Sequence, residues 1–124
     1  MMPVVLVALG GALGSVARYS VNVWTTRLFG PLFPWGTLTV NVFGGFVMGL
    51  LAALIALRGG SNELRVFLLT GVLGGFTTFS AFSLDTMTLW ERGEAATAAL
   101  YVAASVALSI GALVAGLALG RALG

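Results

Sequence analysis

The sequence contains no cysteine, no histidine and no lysine. Without cysteine, disulfide bonds, thiolate nucleophiles and cysteine metal sites are excluded. Without histidine, the side chain that most often carries protons and binds metals near neutral pH is missing as well. Because a nucleophile and its base cannot be assembled from these usual residues, we do not expect an enzyme.

Charged residues are also scarce, and this indicates the solvent in which the chain folds. They make up 8% of the 124 residues, against 59% hydrophobic residues and a mean hydropathy of +1.07. Soluble domains carry about 25% charged residues, which help to cover a compact core. The six arginines are scattered, so no nucleic-acid-binding surface is expected. The composition therefore predicts a protein of the lipid bilayer.

Long uncharged stretches predict the membrane spans. A helix needs about 20 apolar residues to cross the hydrocarbon core. The sequence offers four such segments, joined by short connectors: residues 3–25, 35–57, 65–90 and 95–120. We therefore predict an all-α membrane protein in which residues 1–124 form a single four-helix transmembrane domain.

Basic residues near the span ends give almost no preferred orientation. Four spans leave both termini on one face, with Arg58, Arg65 and Arg121, whereas the opposite face carries Arg27 and Arg92. Only basic residues near the ends of spans count in the positive-inside rule. A chain this balanced is able to insert both ways round, which would lead to an inverted, antiparallel homodimer. A weak but sufficient bias remains the alternative.

Small residues predict how the helices meet. Each span carries a Gly-x-x-x-Gly pattern, and the pairs are Gly10/Gly14, Gly45/Gly49, Gly71/Gly75 and Gly116/Gly120. In lipid, such faces let two helix backbones approach closely. Together the pairs predict a tight bundle, whose small size also favours a subunit interface.

The third span contains a motif that favours a break near mid-membrane. Gly74 and Gly75 weaken the helix, and the hydroxyls of Thr77 and Thr78 can satisfy freed backbone groups. A break would present bare carbonyls to a cation beside a helix N-terminus that favours anions. An unbroken, flexible helix is the alternative. The spacing of Phe76, Phe79 and Phe82 predicts one aromatic side, interleaved with Ser80 and Ser83.

Two further spans supply hydrogen-bond donors. Asn41 lies in the second span, one turn after Thr37, and its amide could bind an anion or simply join two helices. Tyr101, Ser105 and Ser109 recur every four residues and so share one helix stripe, although each hydroxyl could also bond its own helix.

Arg18 is a charge within the first span. An intramembrane charge is a functional candidate by default, but Arg18 lies towards one end of the predicted span. We therefore favour a structural role, either snorkelling to the interface or pairing with Asp85, over a place in an anion path.

Three stretches of the chain resemble the small bacterial fluoride channels of the CrcB, or Fluc, family. The third-span stretch GGFTTFS at 74–80 is similar to the family signature, GGALGSVARY at 10–19 to its first-span motif and WGTLTVN at 35–41 to its second. The resemblance covers essentially the whole chain. Ala81 stands where threonine is usual and Asp85 where glutamate is usual, and both departures are mild.

The resemblance implies a dual-topology homodimer in the bacterial inner membrane, with two pores that release fluoride passively from the cytoplasm. It implies pore roles for one set of side chains: Asn41, Phe79, Ser80, Phe82, Tyr101, Ser105 and Ser109. It also implies a structural sodium ion on the backbone carbonyls of Gly74 and Thr77. Arg18, Thr37, Gly75 and Thr78 would then support the fold around them.

Two other functions share some of these features. A small multidrug-type, proton-coupled exporter has the same number of spans and an inverted dimer, but the first span here lacks a glutamate. A structural subunit of a larger membrane complex would account for the glycine faces. It would leave the aligned hydroxyls and Asn41 unexplained.

Overall fold

The structure is a computed structural model that describes residues 2–124. Its elements in chain order are α1 (Met2–Phe29), α2 (Trp35–Arg58), α3 (Asn62–Arg65), a π-helical segment (Val66–Leu73), α4 (Gly74–Phe76), α5 (Phe79–Glu91) and α6 (Ala95–Leu123). No strand occurs within residues 2–124. The elements from α3 to α5 follow one another almost without interruption, and together they are called the third span here.

Four helical stretches are long and apolar enough to cross a membrane: α1, α2, the third span (Asn62–Glu91) and α6. The shortest, α2, has 24 residues. At about 1.5 Å per residue it covers the roughly 30 Å of a hydrocarbon core. The chain is therefore a multi-pass, all-α membrane protein.

The connectors are shorter than the sequence indicated. Instead of a loop over residues 26–34, α1 continues to Phe29 and only Gly30–Pro34 is non-helical. Asn62, which lies in the predicted connector between residues 57 and 65, begins α3, because the Ser61 hydroxyl accepts the Leu64 N–H at 3.1 Å and caps the helix. Capping by Ser61 therefore lengthens the third span at its start.

The glycine faces pair the first span with the third and the second with the fourth. An added Cβ at Gly14 would lie 2.1 Å from the Val72 carbonyl oxygen, and one at Gly75 would lie 2.6 Å from that of Gly11. In the other pair, a Cβ at Gly116 would lie 2.1 Å from the Phe46 carbonyl oxygen. These distances leave no room for a side chain. The predicted close packing at these glycines is confirmed.

The buried core is small and lies where α5 and α6 form an antiparallel hairpin. Phe82, Leu89, Ala98 and Tyr101 make up its central cluster, and Tyr101 is fully buried. Much of the large apolar surface faces outward, as with Leu13 at 60% exposure and Leu100 at 64%. An outward apolar surface suits a chain whose surroundings are lipid or a second membrane subunit.

Candidate functional site

The helix of the third span is interrupted at Thr77 and Thr78, between α4 and α5. Both residues have extended backbone, with φ −87° and ψ 158° at Thr77 and φ −154° and ψ 126° at Thr78. Thr77 donates its N–H and its hydroxyl to the Leu73 carbonyl at 3.0 and 2.9 Å. The Thr78 hydroxyl accepts the Ala81 N–H at 3.1 Å and so caps α5.

Asn41 of α2 binds the backbone of Thr78 from across the bundle. Its Oδ1 accepts the Thr78 N–H at 2.8 Å, and its Nδ2 donates to the Thr78 carbonyl at 3.0 Å. In a continuous helix these groups would bond within the helix, so the Asn41 amide replaces the missing partners. One of the two Nδ2 hydrogens remains for a ligand.

A groove with a volume of about 400 Å³ lies beside the interruption and is called the groove below. It is formed by α2, the start of α5, α6 and the interruption itself. Its lining residues are Asn41, Thr77, Thr78, Phe79, Phe82, Ser105, Val106, Ser109 and Ile110. None of these side chains is charged, so the groove offers polar donors in a neutral, largely apolar setting.

Two serine hydroxyls in the groove lack a protein partner. The Oγ atoms of Ser105 and Ser109 are buried, and neither makes a hydrogen bond within residues 2–124. A buried hydroxyl without a partner costs roughly 1–3 kcal/mol. Hydroxyls without a partner, one turn apart on α6 and in the lining of the same cavity, can bind a small anion or water.

Tyr101, the third member of the predicted hydroxyl stripe, does not line the groove. Its hydroxyl donates to the Asp85 carboxylate at 3.1 Å, and its ring packs on Phe82 with centroids 5.2 Å apart. Asp85 and Thr37 line a second cavity of about 270 Å³, next to the connector between α1 and α2. Tyr101 therefore contacts the groove wall through the ring of Phe82.

The interruption also divides the phenylalanine series. Phe79 and Phe82 lie with ring centroids 5.5 Å apart and both line the groove, with Phe79 76% exposed. Phe76 lies before the interruption and packs edge-on against Phe43, at 6.3 Å. The interpretation of Phe76, Phe79 and Phe82 as one continuous side is therefore wrong, because the extended residues between Phe76 and Phe79 change the direction of the chain.

Arg18 binds a backbone carbonyl rather than Asp85. Its Nε donates to the Gly75 carbonyl at 3.0 Å, whereas Asp85 accepts from Tyr101. In a continuous helix the Gly75 carbonyl would accept the Phe79 N–H, which here begins a new helix. Of the two structural roles considered for Arg18, the ion pair with Asp85 is not found within residues 2–124. Arg18 lies well inside α1, eleven residues before its end at Phe29.

Gly74 and Ser80 lie near the interruption but outside the groove lining, which includes Thr77 and Thr78. No hydrogen bond to the Gly74 or Thr77 carbonyl oxygen is found within residues 2–124. Ser80 is exposed, and its Oγ lies 3.4 Å from that of Thr78. Ser80 is therefore a neighbour of the groove rather than part of its wall.

The contact between Asp85 and Tyr101 was missed from the sequence, although a signal for it exists. Gly93 lies at the tight turn between α5 and α6, eight positions after Asp85 and eight before Tyr101. Residues at equal distances from such a turn face each other in an antiparallel helical hairpin. The apolar lining residues Val106 and Ile110 carry no comparable signal, because they resemble any lipid-facing side chain.

Comparisons with known proteins agree on one family. The family model described as "CrcB-like protein, Camphor Resistance (CrcB)" matches residues 5–117. The chain is 62% identical over 124 residues to a fluoride-specific ion channel FluC of Rhizobium etli (strain CIAT 652), covering 99% of both chains. It is 68% identical over 117 residues to the protein of that name from Paracoccus denitrificans (strain Pd 1222), covering 94% of this chain and 93% of the relative. The chain belongs to the CrcB family.

Proposed function

We propose that this protein is a fluoride-selective channel that lets fluoride leave the cytoplasm passively. The observation that carries the proposal is the groove, whose lining combines the unpartnered hydroxyls of Ser105 and Ser109 with Asn41, which keeps one free N–H. The close relatives that carry the name fluoride-specific ion channel point to the same ion.

Neutral donors suit the conduction of a small, strongly hydrated anion. A selective pore has to replace the water of the ion and yet release the ion at each site. Hydroxyl and amide groups provide hydrogen bonds without the strong attraction of a buried charge. Phe79 and Phe82 add the electropositive edges of their rings to the same wall. Conduction of this kind makes and breaks no covalent bond.

The absence of a carboxylate from the groove argues against the proton-coupled exporter. Its nine lining residues contain no acid, and α1 contains none either. Proton-coupled transport generally relies on titratable groups inside the membrane. The structural-subunit alternative gives no reason for orphaned hydroxyls, since polar groups that only join helices are hydrogen-bonded.

The interruption in the third span is assigned to the middle of the bilayer. Fourteen residues of this span precede Phe76 and twelve follow Phe79. The two extended residues, Thr77 and Thr78, therefore lie near the centre of the span. Non-helical backbone at that depth is tolerated only where it is buried in protein or lines a cavity. The groove provides such a cavity, and Asn41 and Arg18 provide partners for the freed backbone groups.

A second, antiparallel copy completes two pores in our proposal. The exposed ring of Phe79 borders the groove, and Gly74 is exposed next to the interruption. The arginine counts, Arg58, Arg65 and Arg121 against Arg27 and Arg92, allow either orientation in the bacterial inner membrane.

Dual topology predicts labelling from both sides of the membrane. Because the chain has no cysteine, an Asn62→Cys variant would carry a single thiol at an exposed helix end. A membrane-impermeant maleimide added to intact cells should label about half of it, as expected for equal populations with opposite orientation. Labelling of nearly all or none of the protein would contradict an inverted dimer.

A sodium ion at the dimer centre fits the carbonyls of Gly74 and Thr77. Neither oxygen accepts a hydrogen bond within residues 2–124, and unwound backbone carbonyls are typical sodium ligands in membrane proteins. The ion would hold the two interrupted spans together. Replacing sodium by N-methylglucamine should then lower the thermal midpoint of the dimer, and an unchanged midpoint would count against the site.

The direct test is anion release from liposomes. The purified protein is reconstituted in vesicles loaded with potassium fluoride or potassium chloride, and a potassium ionophore starts the efflux. We expect rapid release of fluoride, and at least about 100-fold slower release of chloride, because only the smaller anion can exchange its water for close donors. Ion-selective electrodes measure both rates. Equal rates, or no fluoride release from folded protein, would exclude a selective fluoride channel.

A double variant, Ser105→Ala with Ser109→Ala, links that rate to the groove. It should release fluoride at least about tenfold more slowly without a lower thermal midpoint, since neither hydroxyl has a protein partner to lose. Ser83→Ala is the matched control, because the Ser83 hydroxyl is exposed and already bonds the Phe79 carbonyl. An undiminished rate in the double variant would remove both serines from the ion path.

A further inference from the structure

The connector between α1 and α2 packs over Tyr101. The ring of Phe33 meets that of Tyr101 edge-on, with centroids 5.5 Å apart and an interplanar angle of 87°. Phe33 also contacts Trp35 at 4.7 Å and packs against the core cluster of the α5–α6 hairpin. Because Tyr101 has no exposed surface, Phe33 is one of the groups that seal it from solvent.

Arg92 binds this connector to the turn between α5 and α6. One of its terminal guanidinium nitrogens donates to the carbonyl of Leu32, the residue before Phe33. Its Nε lies 3.2 Å from the Glu94 carboxylate, which orients the guanidinium. A charged donor on a carbonyl is stronger than a neutral one. The backbone beside Phe33 is thereby held to the turn that joins α5 and α6.

A series of contacts runs from this connector to the groove. Phe33 contacts Tyr101, and Tyr101 contacts both the Asp85 carboxylate and the ring of Phe82. Phe82 lines the groove, whereas Phe33 and Asp85 line the second cavity. Tyr101 lines neither cavity but contacts a wall residue of each, Phe82 in the groove and Asp85 in the second cavity.

We propose that Phe33 is a positioning residue for Tyr101, and that Arg92 fixes Phe33 through the Leu32 carbonyl. The inference rests on the proposed channel function and adds to it two residues outside the groove. With Phe33 in place, the Tyr101 ring is confined between Phe33 and Phe82, and its hydroxyl points at Asp85. Without the edge contact, the ring gains freedom and the hydroxyl leaves Asp85 for part of the time.

The first experiment compares two phenylalanines that both contact Trp35. Phe33→Leu removes the ring contact with Tyr101, whereas Phe29→Leu removes a ring contact with Trp35, at 5.6 Å, and leaves the contact between Phe33 and Tyr101 in place. We expect fluoride release to be about fivefold slower in Phe33→Leu, as for the loss of one edge-on aromatic contact. Phe29→Leu should stay within about twofold of the wild type. Equal rates in the two variants would overturn the inference.

A double-mutant cycle separates positioning from a general effect on folding. In a Tyr101→Phe background the hydroxyl is already absent, so adding Phe33→Leu should slow release by less than about twofold. Multiplication of the two effects would show that Phe33 does not act through the Tyr101 hydroxyl, and would overturn the inference. Phe33→Tyr, which keeps the ring edge, should restore at least half of the wild-type rate.

The role of Arg92 is tested against a control variant that changes the number of arginines on that membrane face by the same amount. Arg92→Gln and Arg27→Gln each remove one arginine from the same face, but only Arg92 binds the Leu32 carbonyl. We expect slower fluoride release in Arg92→Gln alone. If wild-type protein in the same preparation releases no fluoride, the proposed function fails; if it releases fluoride and Arg92→Gln matches Arg27→Gln, only this inference fails.

Discussion

Replacing Asn41 with leucine is expected to abolish fluoride release, with a rate at least about 100-fold below that of the wild type. The substitution removes the side chain that bonds both the N–H and the carbonyl of Thr78. It also removes the free N–H that Asn41 presents to the groove. An unsatisfied backbone group in the membrane costs several kcal/mol, so the interrupted segment will rearrange to find other partners.

Asn41→Asp distinguishes the two roles of this side chain. Aspartate keeps an oxygen acceptor for the Thr78 N–H but has no N–H to donate, and it places a negative charge in an anion path. We therefore expect a folded protein without fluoride release. Asn41→Leu should in addition lower the thermal midpoint, since interhelical hydrogen bonds contribute about 0.6 kcal/mol each on average and up to about 1.7.

Thr39→Val provides the matched control for Asn41. Thr39 lies two positions earlier on α2, is exposed, and has no side-chain hydrogen bond within residues 2–124. Its replacement should change neither the fluoride rate nor the midpoint. Rapid fluoride release by Asn41→Leu, measured with the electrode in the same liposome preparation, would show that Asn41 is dispensable for the interruption and for the ion.

The fold was largely accessible from the sequence because the charges are so few. The stretches between charged residues predict four spans, and four helical stretches of suitable length and hydropathy are found. Helix ends were less accessible. The cap at Ser61 depends on one local hydrogen bond, and the extension of α1 to Phe29 ends only where Gly30 adopts a positive φ of 82°.

The partners of the site residues were harder to predict than the residues themselves. Asn41 and Thr78 are 37 positions apart, and Arg18 and Gly75 are 57 apart, so nothing local relates them. Both contacts exist because the interruption frees backbone groups, which the nearest polar side chains then bind. Opposite charge alone was therefore a poor guide to the partner of Arg18. Arg18 binds the freed carbonyl of Gly75, and the α5–α6 hairpin brings Asp85 into contact with Tyr101.

Substituting alanine for Gly116 is expected to destabilise the protein by about 3 kcal/mol or more, as for an overpacked core. The new Cβ would lie 2.1 Å from the Phe46 carbonyl oxygen and 2.8 Å from the Leu50 nitrogen. These are backbone atoms of α2, which cannot rotate away as a flexible side chain would. The variant has to separate α2 from α6, and the packing of both helices is lost along the contact.

Gly111→Ala is the matched control, because it adds the same methyl group to the same helix. A Cβ at Gly111 would meet nothing within 4 Å, and alanine favours a helix over glycine by about 1 kcal/mol. Gly111→Ala should therefore be as stable as the wild type or more stable. Thermal unfolding in detergent, followed by size-exclusion chromatography, compares the two variants, and equal midpoints would contradict the packing at Gly116.

The separation of α2 from α6 should also slow fluoride release by the Gly116→Ala protein that still folds. Asn41 is on α2 and Ser109 is on α6, and a Cβ at Gly45 of α2 would lie 2.9 Å from the Ser109 carbonyl oxygen. The glycine contacts therefore set the distance between donors on the two sides of the groove. Since an anion that has lost its water needs these donors at close range, the rate per folded protein is expected to fall. A normal rate per folded protein would show that the donors tolerate a wider spacing.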